Sequence, residues 1–491
     1  MERLKVSLDE NIKRLKTAFK DCDDVVMREI RFGKGEKIRG FIAFIDNLIS
    51  RSVIEDPVLI SIMSRTDMYG KGRVTEKLLD EVVAVGECKI AEDMKAVFDA
   101  MLMGDTVFMV DGEGKAIVIS TKGWPNRGVA KAETEVVVQG PKDAFNEVVS
   151  INTVLVRRRI RDTRLKVKRL TAGRSSNSTI TVMYMEGIAR RQVVEDVLKR
   201  IREIKTDIIP DSGYFVELTE KSNLTPFPTM QLTERPDKTA SALNEGRVAV
   251  IVDNTPFAIL VPATLNVFFQ SAEDYYDRWE IMSFLRFLRY VAAVIAVCLP
   301  ALYVALTVYH PSVIPTALAL KIAATRGNVP FPTIVEVLLM EVAFELLREA
   351  GVRLPSPVSS TIGIVGGIVI GQSAVEAGLV GPAVVIVSAL SGICSFVVPS
   401  PAFVSAMRIV KYFVLILSSL LGLFGFWIAV ILIIVHMAGL KSFGIPYLFP
   451  FCSGYVNGWG DLKDSIVRLP FAMSRKNSFF REPEGSARDD I

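Results

Sequence analysis

The sequence predicts a cytoplasmic N-terminal domain of two subdomains, α+β or α/β in class, followed by an all-α transmembrane helix bundle. Three observations lead there. The chain has 491 residues, more than one ordinary domain holds. Its hydrophobic fraction is 50%, yet the charged residues crowd into the first half and the last fifty positions. Between them, residues 290–320, 354–375, 377–407 and 412–440 carry no Asp, Glu, Lys or Arg. A bilayer core about 30 Å thick needs roughly 20 apolar helical residues, and each stretch is long enough.

The division that follows has four parts. Residues 1–150 form an N-terminal α/β subdomain and 151–284 a second one. Residues 285–440 form a bundle of four or five transmembrane helices plus a re-entrant or interfacial segment, and 441–491 a basic cytoplasmic tail. In the first part, helical spacing covers 6–19, 76–83 and 93–103, and strand patterns cover 39–45 and 106–110. Asp111-Gly112 reads as a hairpin turn. The basic run from Val156 to Arg164 reads either as a solvated helix face or as a site for phosphate or anionic lipid. A second set of elements follows: a strand at 179–185, an amphipathic helix at 191–204 and a buried strand at 246–252. Residues 256–269 are apolar but short for a span, and read as an interfacial segment.

Several function classes fall away. A net charge of +4 argues against nucleic acid as a partner. The start of the chain lacks the basic-then-apolar pattern of a signal peptide, so the soluble part is expected on the cytoplasmic side, and the basic residues of the tail place the C-terminus there too. Five scattered cysteines make no C-x-x-C pair, which fits reduced thiols. Two histidines are too few for a His-based metal site, and neither a phosphate-binding loop nor a nucleophile elbow is present. No enzymatic activity, cofactor or metal is expected.

The membrane half carries the unusual features. Gln270–Trp279 mixes aromatics with charges, as the headgroup layer does, and Arg278, Arg286 and Arg289 mark the cytoplasmic edge. Pro300 should kink the first span. In the apolar run 332–348, Glu341, Glu345 and Arg348 share one helix face while Glu336 lies off it. Carboxylates in lipid are costly, so that face should meet water, a partner or a pore, or else the helix lies flat at the interface. Gly363, Gly367 and Gly371 recur every fourth residue, a spacing that lets helix backbones approach closely in lipid. Glu376, beside Gln372 and Ser373, is an isolated acid between apolar runs. It reads as part of an ion path, as a partner of Arg348 or Arg408, or as a helix-end residue. Arg408 and Lys411 mark a membrane edge, and 412–440 reads as one long final span.

A series of motifs then occurs in order. They include the runs Ile151 to Asp162, Met185 to Ala189, Pro226 to Thr229, Thr233 to Asp237 and Glu245 to Asp253. In the membrane half they continue with Phe269 to Tyr276, Leu299 to Leu306, Met340 to Ala350, Ile370 to Gly378 and Ser442 to Tyr447. With these the chain resembles the A subunit of bacterial spore germinant receptors, a family that includes a related stage V sporulation protein. The likeness covers roughly residues 140–470, and it departs from the family's acidic pattern at 130–135. The resemblance implies a protein of the spore inner membrane that works with a transporter-like B subunit and a lipoprotein C subunit. It also implies a homo-oligomer, a pentamer, whose helices surround a cation path in contact with membrane lipid. The residues add candidates for that path: Glu341, Glu345, Gln372, Ser373 and Glu376, with Gly363, Gly367 and Gly371 setting helix–helix distance. A scaffold that organises receptor partners without conducting is the competing reading.

Overall fold

Near-continuous apolar runs in 38–45, 106–110 and 116–119 build the first sheet. The computed structural model describes residues 3–33, 38–50, 74–79, 88–123, 132–221, 224–327, 329–353, 369–451, 464–468, 470 and 480–481. Five strands, β1 (Val25–Phe32), β2 (Ile38–Ile45), β3 (Cys88–Ala91), β4 (Thr106–Val110) and β5 (Ala116–Ile119), pair in the order β1-β2-β4-β5-β3 with antiparallel neighbours. Helices α1 (Leu8–Ala18) and α2 (Met94–Leu102) cover one face, where Leu8, Leu15, Phe41, Val97, Met101 and Val107 are buried together. Asp93 caps α2 by accepting from the Ala96 N–H at 2.7 Å. Phe108, Val110, Ile117 and Leu78 fill the opposite face. The expected turn at Asp111-Gly112 is present, with Gly112 at φ +87°.

A second sheet follows from β6 (Leu165–Ala172), β7 (Ser178–Met185), β8 (Gln231–Thr233), β9 (Val248–Val252) and β10 (Ala258–Val261), in the order β6-β7-β9-β10-β8. Helices α3 (Val149–Arg157), α4 (Arg191–Glu203), α5 (Ser212–Thr219) and α6 (Pro236–Asn244) accompany it, and Leu155, Val167, Met183, Leu243 and Ile251 form its core. The apolar segment 256–269, expected at the interface, contains β10. A run of four buried side chains between two neighbouring strands needs no membrane to hide it.

The two sheets repeat one plan. Strand order is the same, a helix precedes the first strand, and another joins the third to the fourth. Local hydrogen bonds repeat too. Asn11 accepts from the Lys5 N–H (3.0 Å) and donates to its carbonyl (2.7 Å), and Asn152 does the same with Asn146 (2.8 and 2.5 Å). Asp111 accepts from the Leu8 N–H at the start of α1, and Asp253 from the Val149 N–H at the start of α3, both at 3.1 Å. Positive φ recurs at Asn47 and Gly187, and at Gly104 and Gly246.

The repeats are joined inside one unit, which comprises Met1–Asn223, Met230–Pro262 and Lys476–Ile491. The Asp23 N–H donates to the Val167 carbonyl (2.8 Å) and the Val167 N–H to that of Asp21 (3.1 Å). The basic run of 156–164 is part of this seam and of its surroundings. Arg157 is buried and forks onto Asp24 (2.5 and 2.8 Å), Arg159 binds Asp143 (2.6 Å) and Arg164 binds Asp162 (2.7 Å). These arginines are therefore matched internally. In the linker 132–141, Glu234 accepts from the backbone N–H groups of Thr134 (2.5 Å) and Glu135 (2.7 Å), while Arg235 donates to the Pro141 carbonyl (3.0 Å).

The second unit comprises Leu224–Thr229 and Ala263–Arg475. Its helices are α7 (Trp279–Val304), α8 (Thr316–Arg326), α9 (Thr333–Arg353), α10 (Gly371–Glu376), α11 (Pro382–Val397) and α12 (Pro401–Gly439). Among the described residues two helical segments are long and apolar enough to cross a membrane: Trp279–Tyr309, in which α7 ends in a π-helical turn at Ala305–Tyr309, and Pro401–Gly439. Pro300 sits inside α7, where it leaves the Ala296 carbonyl without its helical donor. The Ser391 hydroxyl of α11 donates to that carbonyl at 2.8 Å. The final span is not the single rod read from 412–440. It starts at Pro401, and Gly422 breaks it with φ +62° and ψ −142°. The Phe227 ring lies 6.1 Å from Phe403 and 6.1 Å from His436. A straight helix would put those two residues about 50 Å apart, so α12 folds back as a hairpin with arms 401–421 and 423–439. At its tip the Tyr309 hydroxyl donates to the Ser419 carbonyl (2.6 Å), one of those the break frees.

The chain after Leu440 is not a free tail throughout. Ser442 accepts from the Ala263 N–H (2.9 Å) and donates to the Thr229 carbonyl (2.6 Å), and Lys441–Ser442 pairs with Ile445–Pro446.

Candidate functional site: ionisable groups in the helical unit

Spacings of four and three residues stack Glu341, Glu345 and Arg348 along one side of α9. On α12, Arg408 and Lys411 stand one turn apart. Their side chains meet. Lys411 Nζ lies 2.5 Å from Glu341 and 3.9 Å from Glu345, and Arg408 Nη1 lies 3.3 Å from Glu345. Arg408 and Lys411, read from sequence as a membrane edge, are thus the partners of the α9 acids. Glu341 and Lys411 are 2% and 6% exposed. Charges that deep persist when each is neutralised by the other, since removing one partner leaves an uncompensated buried charge.

The five groups line a cavity of about 670 Å³ together with Ala296 of α7 and Ser388, Ser391 and Phe396 of α11. Glu341 Oε1 and the Ser388 hydroxyl have no hydrogen-bond partner among the described residues. The remaining sequence candidates lie elsewhere. Gln372, Ser373 and Glu376 are exposed on α10, where Gln372 donates to Glu376 at 2.8 Å, and none of the three lines this cavity. Gly371 is buried, and a Cβ there would stand 3.4 Å from Val385 of α11. Gly363 and Gly367 lie outside the described residues.

Two further ionic centres escape a reading based on one helix face. Glu336 is fully buried, accepting from Arg326 Nε (3.2 Å) and from the Gly381 N–H at the start of α11 (2.8 Å). A carboxylate there faces the positive end of a helix. Asp274 is likewise fully buried, and it accepts from Arg286 (3.0 Å) and Arg289 (2.7 Å), with Arg286 also reaching Asp464 (2.9 Å). Arg286 and Arg289, expected to mark the cytoplasmic edge, thus clamp a carboxylate. The signal for Glu336 was an acid in an apolar run, while Asp274 lies among other charges and had no such mark. Among the described residues no group of three or more His, Cys, Asp or Glu gathers as a metal site would require.

Known proteins share this arrangement of sequence. The family model described as "Bacillus/Clostridium GerA spore germination protein" matches residues 13–479. Spore germination protein KA of Bacillus subtilis (strain 168) is 38% identical over 484 residues, 99% of this chain and 87% of the relative. Spore germination protein A1 of the same organism is 41% identical over 404 residues, 82% of each chain. The uncharacterized membrane protein YfkQ, also from that organism, is 36% identical and covers 98% of this chain and 92% of the relative. A solved structure, the N-terminal domain of the A subunit of the Bacillus megaterium spore germinant receptor GerK3, is 31% identical. It covers 54% of this chain and 98% of that one, with a TM-score of 0.44. With a family model and relatives that match over nearly its whole length, this chain belongs to the GerA family of spore germination proteins.

Proposed function

We propose that this chain is the channel-forming subunit of a spore germination receptor. On this reading it resides in the spore inner membrane, assembles as a homo-oligomer of five, and works without enzymatic activity beside a transporter-like B subunit and a lipoprotein C subunit. The observation that carries conduction is the pair of acids Glu341 and Glu345 on α9 inside an apolar helical unit, both held by cations of α12. Lys411 and Arg408 occupy the carboxylates as a permeant cation would. Moving the 401–421 arm away from α9 exposes Glu341 and Glu345 to ions, so this arrangement corresponds to a closed path. The exposed Gln372, Ser373 and Glu376 are the other acid and polar groups offered to it. The test is potassium release from vesicles holding the full receptor. Glu345→Gln is expected to slow triggered release about tenfold, because a carboxylate ring selects cation charge. Release at the wild-type rate would sink the conduction reading.

One observation favours a second reading, a scaffold that assembles receptor partners without conducting. Glu341 and Glu345 already have internal cations, as purely structural pairs would. In that case Glu345→Gln leaves ion release untouched, while deleting the two-repeat unit abolishes co-purification of the partner subunits.

A further inference from the structure

We propose that the cavity between α9, α11 and α12 holds the headgroup of an anionic phospholipid. The balance of charge comes first. Arg348, Arg408 and Lys411 line the cavity against two carboxylates, Glu341 and Glu345, which leaves one net positive charge. Lys411 and Arg408 are engaged with the two acids. Arg348 reaches no carboxylate among the described residues, and its guanidinium lies 4.6 Å from the centre of the Phe396 ring. Arg408 adds a buried Nε with no acceptor among the described residues. Two guanidiniums with unused donors at one cavity match the several oxygens of a phosphate better than a single-point anion.

The orphan groups narrow the ligand further. Ser388 is buried with its hydroxyl unpartnered, and Glu341 Oε1 is buried and needs a donor. A free phosphate dianion brings two negative charges beside Glu341 and Glu345, whereas a phosphodiester carries one. A headgroup that joins a phosphate to hydroxyls, as phosphatidylglycerol does, supplies acceptors for the arginines and a donor for the carboxylate. The flank of the cavity completes the match. Ile393 and Phe396 line it and are 63% and 67% exposed, an apolar surface along which acyl chains would lie.

The assignment stands apart from the conduction reading and is tested without ion flux. Full-length protein is purified in detergent, and retention of phosphatidylglycerol and of phosphatidylcholine with the same acyl chains is measured by native mass spectrometry. Wild type is expected to favour phosphatidylglycerol by roughly fivefold or more, the factor that one membrane-facing cation contributes. Arg348→Gln should abolish that preference, and Arg348→Lys should retain part of it. Equal retention of the two lipids, or an unchanged preference in a folded Arg348→Gln protein, overturns the proposal. Displacement of phosphatidylglycerol by millimolar inorganic phosphate also overturns it, because the site would then take a free anion. If Arg348→Gln elutes as aggregate, the wild-type contrast and the lysine variant decide the matter.

Discussion

Arg157 carries more of the fold than its place in a basic run suggests. Burial opposes its charge, but Asp24 more than offsets that and holds the guanidinium above its usual range. Arg157→Ala leaves the Asp24 carboxylate buried and alone, and should cost about 3–5 kcal/mol in a urea titration followed by circular dichroism. The double change Arg157→Ala with Asp24→Ala should cost less than Arg157→Ala alone. Asp105 is the reverse case. Burial raises its carboxyl above the usual range, and Lys122 at 3.5 Å only partly counters this. A raised folded-state pKa means that its stabilising contribution is complete below the unfolded value near 4 and is lost as pH climbs through the folded value. Asp105→Asn should therefore raise the melting temperature at neutral pH and flatten the pH dependence above 4. At this scale the sequence showed that Glu341, Glu345 and Arg348 share a face, because helical spacing is local. It did not show that Lys411 and Arg408 meet them, because an ion pair across about seventy positions has no local signature.

At the scale of the element, two helix defects are each answered by a neighbour. Pro300 frees the Ala296 carbonyl and Ser391 serves it. Ser391→Ala should lower stability in detergent by about 1 kcal/mol, read as an earlier thermal midpoint. Gly422 has a backbone conformation that side chains rarely adopt, and a Cβ there would stand 2.9 Å from Tyr309. Gly422→Ala should cost about 1–3 kcal/mol from backbone strain before any contact with Tyr309 is counted. An unchanged thermal midpoint would show that the hairpin does not need this glycine. The elements that the sequence displayed plainly were those with one clean period, such as α4, or one unbroken apolar run, such as β4. The edge strands β1 and β6 were hidden, because Arg28, Glu29 and Arg31, or Lys166, Lys168 and Arg169, interrupt their apolar alternation. Gly422 sits in an uncharged run without proline, where only the small residues Ser418, Ser419 and Gly425 mark the fold-back.

At the scale of the whole molecule, composition alone separated a charged half from an apolar half, and that contrast was legible because lipid and water select opposite residues. The duplication inside the first unit was not. Its sheets share order and handholds, but few identities survive beyond Asn11 with Asn152, Asp111 with Asp253 and Gly104 with Gly246. Apolar core positions tolerate exchange, whereas a side chain that must bond one backbone group at one distance does not. The Asp24–Arg157 pair and the backbone bonds of Asp21 and Asp23 to Val167 should make the two repeats unfold in one transition, and Arg157→Ala should resolve it into two. The repeated plan also gives this chain a built-in twin for every substitution made in either sheet. Asn11→Ala and Asn152→Ala remove the same two bonds from the same kind of loop in the same molecule. Any difference between their effects on germination then measures what one copy does beyond holding its own shape.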